Sequence, residues 1–67
     1  MSNIRRIDYD EFLNLKNGDV VYVVISSVAY KSKVIGVPFY NADADEPDWE
    51  VETDNGFCDA YSLYVTK

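Results

Sequence analysis

The sequence contains no histidine and only one cysteine, Cys58. Without histidine, the chain lacks the commonest general base, the commonest transition-metal ligand and the usual switch near neutral pH. A single cysteine cannot form an internal disulfide, which excludes a disulfide-stapled secreted domain. Because no neighbouring base in the sequence can activate Cys58, we expect it to be a half-buried strand residue and not a nucleophile.

Basic residues are also scarce, since six Lys and Arg stand against twelve Asp and Glu, for a net charge of −6. Unspecific nucleic-acid binding depends on cations that neutralise phosphates, so this charge disfavours it. The longest apolar stretch, VVYVVISSVAY, is shorter than the roughly 20 residues that a spanning helix needs. No apolar run follows Arg5 and Arg6 as it would in a signal peptide. We therefore expect a soluble, cytoplasmic protein with no membrane contact.

The chain length permits one domain, predicted over residues 1–67. A domain near this size buries only about 60% of its unfolded surface, which leaves no spare core for an enzyme cleft. We therefore predict no enzymatic activity and no cofactor. A hydrophobic content of 48% and an aromatic content of 15% nevertheless predict a folded chain rather than a disordered one.

The first part of the chain predicts one short helix and one strand. Asp8, with Glu11 three residues later, has the spacing of a capping box and predicts a helix over 8–16. The β-branched run DVVYVVIS then predicts a strand over 19–26 that is covered on both faces.

The next segment, VAYKSKVIGV, predicts the hairpin partner of that strand over 28–37, with Ser26 and Ser27 near the turn. Gly36 indicates a bulge or bend, and Pro38 is expected to end the strand. The segment FYNADADEP then predicts a long polar loop.

The last third predicts a hairpin and a terminal strand. DWEVETD alternates carboxylates with Trp49, Val51 and Thr53, so we expect a strand that turns Trp49 towards the core. Asn55-Gly56 predicts a type I′ turn into FCDAY, since this pair is the strongest short hairpin signal. The segment SLYV predicts a last short strand.

Five short strands leave unpaired edges, which closure into a small barrel removes. The segments LKNGDVVYVV, YKSKVIGV and WEVETDNG, followed by YSLYV, resemble the Src-homology-3-like small barrels in their order. The resemblance covers Leu15 to Val65 and implies a mainly β fold, namely a five-stranded barrel over 19–65 with a short N-terminal helix. The ALYDY-type segment of the proline-peptide-binding members is missing, so their function is not carried over.

The negative charge is concentrated in one segment. Between Asn41 and Asp54 there are seven acids and no base, while the other residues hold five acids against six bases. The acids of this segment are Asp43, Asp45, Glu46, Asp48, Glu50, Glu52 and Asp54. The last four share one strand face at a spacing of roughly 6.6 Å, which predicts either a binding face for cationic groups or a solubility face.

Two aromatic residues, Phe39 and Tyr40, lie at the start of the acidic loop. An aromatic ring beside carboxylates suits a Lys or Arg side chain through cation–π contact and ion pairing. We therefore predict that both residues are exposed anchors of the binding face. The alternative is that they only cover one end of the barrel.

A calcium-binding loop is the most specific alternative interpretation of the acidic segment. Counted from Asn41, oxygen-bearing side chains fall at loop positions 1, 3, 5 and 12 of the EF-hand pattern. Glu46 and Pro47, however, occupy positions 6 and 7, where the loop needs a Gly and a sharp turn. We therefore predict no metal site.

These observations predict a non-enzymatic protein-binding module whose acidic strand and loop engage a Lys/Arg-rich surface of a partner protein. One form is an inhibitor that imitates phosphate charge and blocks the nucleic-acid site of a processing enzyme. The chain resembles acidic phage anti-defence mini-proteins in size and charge. The alternatives are a nucleic-acid-binding small barrel, which the charge disfavours, and a structural or oligomerising protein.

Overall fold

Six antiparallel strands and one short helix form the chain over residues 3–67, which the computed structural model describes. The elements are β1 (Ile4–Arg6), α1 (Tyr9–Leu13), β2 (Val20–Ile25), β3 (Val28–Asn41), β4 (Asp48–Thr53), β5 (Gly56–Asp59) and β6 (Leu63–Thr66). The strands form one sheet in the order β1-β6-β2-β3-β4-β5. Met1 and Ser2, which belong to the predicted domain, lie outside the described residues.

The predicted mainly β fold is confirmed, but the closed five-stranded barrel is not. Among the described strands, β1 pairs only with β6 and β5 only with β4, so the sheet has six strands and two open edges. The additional strand is β1, whose three residues are too few to show an alternation pattern in the sequence. No helix within residues 3–67 is long and apolar enough to cross a membrane.

The helix is shorter than its predicted range of 8–16 and ends at Leu13. Asp8 precedes it in an extended conformation, and its backbone N–H donates to Glu11 Oε1 at 3.0 Å, which is the Glu half of the predicted capping box. Phe12 is the buried residue of this single turn and a half. A helix this short depends on such packing, because its own hydrogen bonds cannot hold it in water.

The core lies on one side of the sheet, which we call the inner side. Its buried apolar residues are Ile7, Phe12, Leu15, Val21, Val23, Val34, Val51, Cys58 and Leu63. Trp49 is half-buried and packs against this core, as its alternation predicts. Because neighbouring strand residues alternate, the residues between the core positions point to the opposite, outer side.

Strand β3 is longer than predicted and continues through Pro38 to Asn41. Ile35 pairs with Glu52 and Phe39 with Glu50, so three residues of β3 stand opposite the single residue Val51 of β4. Pro38 lies within this irregular stretch, where its missing N–H interrupts no ladder hydrogen bond, so it does not end the strand. The predicted bend at Gly36 is confirmed by the register shift and by its φ of 81°.

The type I′ geometry that the sequence predicts for the second hairpin turn occurs in the first one instead. Ser26 and Ser27 have positive φ values of 52° and 68° and follow the last β2–β3 pair, Ile25 and Val28, as in a type I′ turn. In the second hairpin, Thr53 pairs with Gly56, so the turn lies at residues 54–55, one position before the predicted pair.

Side-chain hydrogen bonds explain the shifted second turn. The Asn55 backbone N–H donates to Thr53 Oγ1 at 3.1 Å, and the Asn55 amide donates to the buried Ser32 hydroxyl. These contacts hold Asn55 inside the turn with an ordinary negative φ, and Gly56 alone takes the positive φ, 109°. The hairpin itself is confirmed, while its type I′ assignment is wrong.

Replacing Ser26 and Ser27 by Asn and Gly should stabilise the protein, because serine is disfavoured at positive φ and Asn-Gly is the preferred type I′ pair. We expect a gain of about 1 kcal/mol in the free energy of unfolding, or about 4–8 °C in Tm. Thermal unfolding followed by circular dichroism measures it. The matched control, S26T/S27T, should lose stability, since β-branched residues resist positive φ. Equal Tm values for the two variants would contradict this turn geometry.

One ion pair ties the helix to the edge strand β1. Arg5 Nη1 and Nη2 donate to Glu11 Oε1 and Oε2 at 2.6 and 2.7 Å, a bidentate arrangement. The Arg5 guanidinium, together with the Asp8 backbone N–H, lowers the pKa of Glu11 from 4.5 to about 2. The native state therefore favours the ionised carboxylate.

Stability should fall as the pH drops from about 4.5 to about 2, because the lowered folded-state pKa of Glu11 makes the native state resist protonation there. Above that range the contribution is fully present. Urea titrations at a series of pH values measure it, and E11Q should show a flatter acid limb than E46Q, which alters an exposed loop carboxylate. Identical acid limbs in the two variants would argue against the ion pair.

Candidate functional site

The outer side of β3, β4 and β5 presents acids and apolar residues in two cross-strand rows. In one row Phe39 pairs with Glu50, and Glu50 with Asp59; in the next row Ile35 pairs with Glu52, and Glu52 with Phe57. The rows lie about 6.6 Å apart, two residues along the strands. We call the surface formed by Ile35, Phe39, Glu50, Glu52 and Phe57 the acidic–phenylalanine face.

The two phenylalanine rings meet across the middle strand of this face. Phe39 belongs to β3 and Phe57 to β5, yet their ring centroids are 5.9 Å apart in an edge-to-face arrangement. The register places their contact over β4, between Glu50 and Glu52. Both rings stay accessible, with 38% and 62% of their surface exposed. Ile35, in the same cross-strand row as Glu52 and Phe57, adds a third exposed apolar side chain to this face.

The four carboxylates predicted to share one strand face separate into two kinds. Asp48 and Asp54 lie at the two ends of β4 and accept backbone hydrogen bonds, Asp48 from Trp49 at 2.8 Å and Asp54 from Lys33 at 3.1 Å. Glu50 and Glu52 occupy the middle of the strand. Glu50 is half-buried and accepts from the Asn41 amide at 3.3 Å, while Glu52 is exposed.

The loop carboxylates lie beyond the strand, at residues 42–47. Asp43, Asp45 and Glu46 are exposed, and Asn41 Oδ1 accepts from the Asp43 backbone N–H at 3.2 Å, which turns the loop. In the described part of the chain, no three carboxylate, cysteine or histidine side chains come close enough to hold a metal ion. The predicted lack of a calcium site stays a prediction that calorimetry with calcium can test.

The two predicted aromatic anchors lie on opposite sides of the sheet. Phe39 belongs to the acidic–phenylalanine face, whereas Tyr40 pairs with Trp49 on the inner side, where the ring centroids are 5.9 Å apart. The sequence prediction placed both residues in a loop. Strand β3 instead includes them, and strand alternation then separates neighbours.

The sequence prediction overlooked two residues of this face, Ile35 and Phe57, although for Phe57 a signal was present. The predicted turn pairs Asp54 with Phe57, and the observed turn pairs Glu52 with Phe57. The two registers differ by two residues, which leaves every side chain on the same face. Either register therefore places Phe57 beside the carboxylates.

Cys58 lies on the inner side of β5, as part of the core. Burial raises the pKa of its thiol, which favours the protonated form over the nucleophilic thiolate. Its strand position agrees with the sequence prediction, and it is more deeply buried than predicted.

Comparison with known proteins gives no relative: no family model, no curated protein and no solved structure matches this chain.

Proposed function

We propose that this chain is a non-enzymatic protein-binding module whose acidic–phenylalanine face engages a Lys/Arg-rich surface of another protein. The observation that supports it best is the exposed Phe39–Phe57 ring pair between Glu50 and Glu52. Each carboxylate can pair with a cationic head group, while the rings contact its aliphatic stem or its charged end. A face needed only for solubility has no use for exposed phenylalanines.

The exposed loop acids Asp43, Asp45 and Glu46 add long-range attraction to this contact. Electrostatic steering of this kind raises the association rate and weakens with salt, because screening shortens to about 8 Å at physiological ionic strength. Their part is to guide the partner, whereas the strand residues supply the close contacts.

Imitation of a nucleic acid is a narrower form of the same proposal, as in an inhibitor that blocks a nucleic-acid site. DNA carries one charge per about 3.4 Å on each strand, and the middle of β4 offers two carboxylates about 6.6 Å apart. Asp48 and Asp54 are engaged in backbone hydrogen bonds. This spacing favours recognition of separate cationic side chains over close imitation of phosphates. The resemblance to Src-homology-3-like barrels stays a prediction.

The variant E50K/E52K should lose binding to a basic probe, because it places like charges in the centre of the face. The probe is a short labelled peptide that alternates Lys with Leu, followed by fluorescence anisotropy at low salt. We expect at least about a tenfold loss of affinity, which corresponds to about 1.4 kcal/mol. The same peptide with Ser in place of Lys should bind neither protein.

Two controls separate the face from the overall charge. D43K/D45K has the same net charge as E50K/E52K, −2, because each replaces two acids by two bases in a chain of −6. It alters only the loop. Its loss of binding free energy for the Lys/Leu peptide should therefore be less than about a third of the loss that E50K/E52K causes. K31E/K33E should bind the probe at least as well as the wild type. If D43K/D45K lost as much affinity as E50K/E52K, only net charge would matter and the proposed face would be wrong.

The phenylalanine pair makes a separate prediction. F39A/F57A should weaken binding of the Lys/Leu peptide by about 1–2 kcal/mol while leaving its salt dependence unchanged, since the charges remain. Anisotropy titrations at several salt concentrations measure both quantities. Because both rings are partly exposed, their removal should lower Tm only modestly, which a melting curve checks. If the affinity were unchanged, the rings would contribute nothing to binding, and the face would act through electrostatic attraction alone.

A further inference from the structure

A second surface on the outer side of the sheet has the opposite character. Arg6 pairs with Tyr64, Tyr64 with Tyr22, and Tyr22 with Lys31, so that a single cross-strand row runs over β1, β6, β2 and β3. Lys33 stands on the same side, two residues along β3 and opposite Val20. We call the surface of Arg6, Tyr22, Lys31, Lys33 and Tyr64 the basic–tyrosine face.

The residues of this row hold one another in place at its edge. Arg6 Nη2 donates to the Tyr64 hydroxyl at 3.3 Å, and the Arg6 guanidinium lies 5.7 Å from the centre of the Tyr64 ring. The Tyr64 hydroxyl raises the pKa of Arg6 further. A cation stacked on a tyrosine is partly ordered before any partner arrives, which lowers the entropy lost on binding.

Within the described part of one chain, the charged residues of the two faces form no ion pairs. Within residues 3–67 the ion pairs are Arg5–Glu11 and Lys16–Asp19, and neither involves a member of either face. Three cations are therefore exposed on one half of the outer side, while on the other half Glu52 is exposed and Glu50 is half-buried. The two faces adjoin along β3, where Lys33 of the basic–tyrosine face and Ile35 of the acidic–phenylalanine face stand two residues apart.

We propose that the basic–tyrosine face of one chain docks on the acidic–phenylalanine face of a second copy. This inference rests on the proposed function, because it names one Lys/Arg-bearing surface that the acidic–phenylalanine face binds. Charge complementarity favours a second copy as the partner, because Lys31 and Lys33 of one chain then lie opposite Glu50 and Glu52 of the other. Both faces also add the aromatic residues that are enriched at protein interfaces, tyrosines on one side and phenylalanines on the other.

The surface area of the chain is sufficient for such a contact. A standard interface takes about 800 Å² from each partner, roughly a sixth of the 4668 Å² of accessible surface. Because both faces lie on the same side of the sheet, a two-fold axis along their boundary lets one pair of chains make the contact twice. Twofold pairing closes the assembly as a dimer, the commonest symmetry of soluble oligomers.

The net charge of −6 on each copy opposes this association at long range. Screening at physiological ionic strength weakens that repulsion, while opposite charges in contact are screened much less. We therefore expect weak, reversible self-association that is best observed near physiological salt.

Sedimentation equilibrium of charge-exchanged variants tests the inference, from about 10 μM to about 1 mM chain. The wild-type mass should rise above 7.7 kDa with concentration. K31E/K33E has two acidic faces and E50K/E52K has two basic ones, so each should stay monomeric when alone. An equimolar mixture of the two should associate, since each supplies the face that the other lacks.

The combined variant K31E/K33E/E50K/E52K is the decisive control. It keeps the wild-type net charge of −6, because two exchanges in each direction cancel, and its two faces are again complementary. It should recover the wild-type self-association, at least tenfold stronger than that of either two-site variant. Circular dichroism melting curves confirm that all variants fold.

Two results would overturn the inference. The first is a wild type and a combined variant that both remain monomeric at about 1 mM. The second is self-association of a two-site variant as strong as that of the wild type, since the contact then lies elsewhere. Either result leaves the proposed function standing if the Lys/Leu peptide still binds, whereas a peptide that fails to bind the wild type defeats the proposed function itself.

Discussion

Strand β3 belongs to both halves of the sheet, so the alternation of its side chains must stay in phase along all of its 14 residues. The irregular stretch after Ile35 sets three residues against one, an insertion of two. An even insertion leaves the faces unchanged, so Phe39 returns to the side of Ile35. An insertion of one residue would place Phe39 towards the core and Tyr40 among the carboxylates.

Local contacts hold this insertion in place. The Gly36 N–H donates to Asn17 Oδ1 at 3.0 Å, and Gly36 itself takes a φ of 81° that other residues rarely adopt. Pro38 supplies no N–H at a point where the ladder needs none. The turn after the helix and the bulge are thus linked, and the position of Phe39 on the outer side depends on both.

The sequence predicts the individual strands of this fold better than it predicts which strands pair at the edges of the sheet. Alternation in DWEVETD identifies β4 and its core residues, because a period of two is visible within one strand. Edge pairing is not visible in that way: β1 has three residues and depends on β6, nearly sixty positions away. The turn at residues 54–55 escaped prediction for a similar reason, since the partner that holds Asn55 is Ser32, a buried residue of another strand.

The sequence predicts both carboxylates of the candidate face but only one of its three apolar residues, Phe39. Glu50 and Glu52 follow from alternation, while Asp48 and Asp54 lie at strand ends, where unpaired backbone N–H groups attract carboxylates. The sequence groups Tyr40 with Phe39 because Pro38 is expected to end the strand, whereas β3 continues through Pro38 and alternation separates the two residues. Ile35 and Phe57 join the face through their pairing with Glu52, which the alternation within β4 alone does not show.

The exposure of Phe57 bears on whether the acidic face is only a device for solubility. Folding gains little from a ring that keeps 62% of its surface in water, since hydrophobic stabilisation scales with the area removed from it. Single exposed apolar residues are ordinary on protein surfaces. Here, however, the Phe57 ring packs edge-to-face against Phe39, and Ile35 is exposed in the same cross-strand row as Phe57. Two exposed rings in contact beside carboxylates therefore favour the proposed binding role over a face that serves only for solubility.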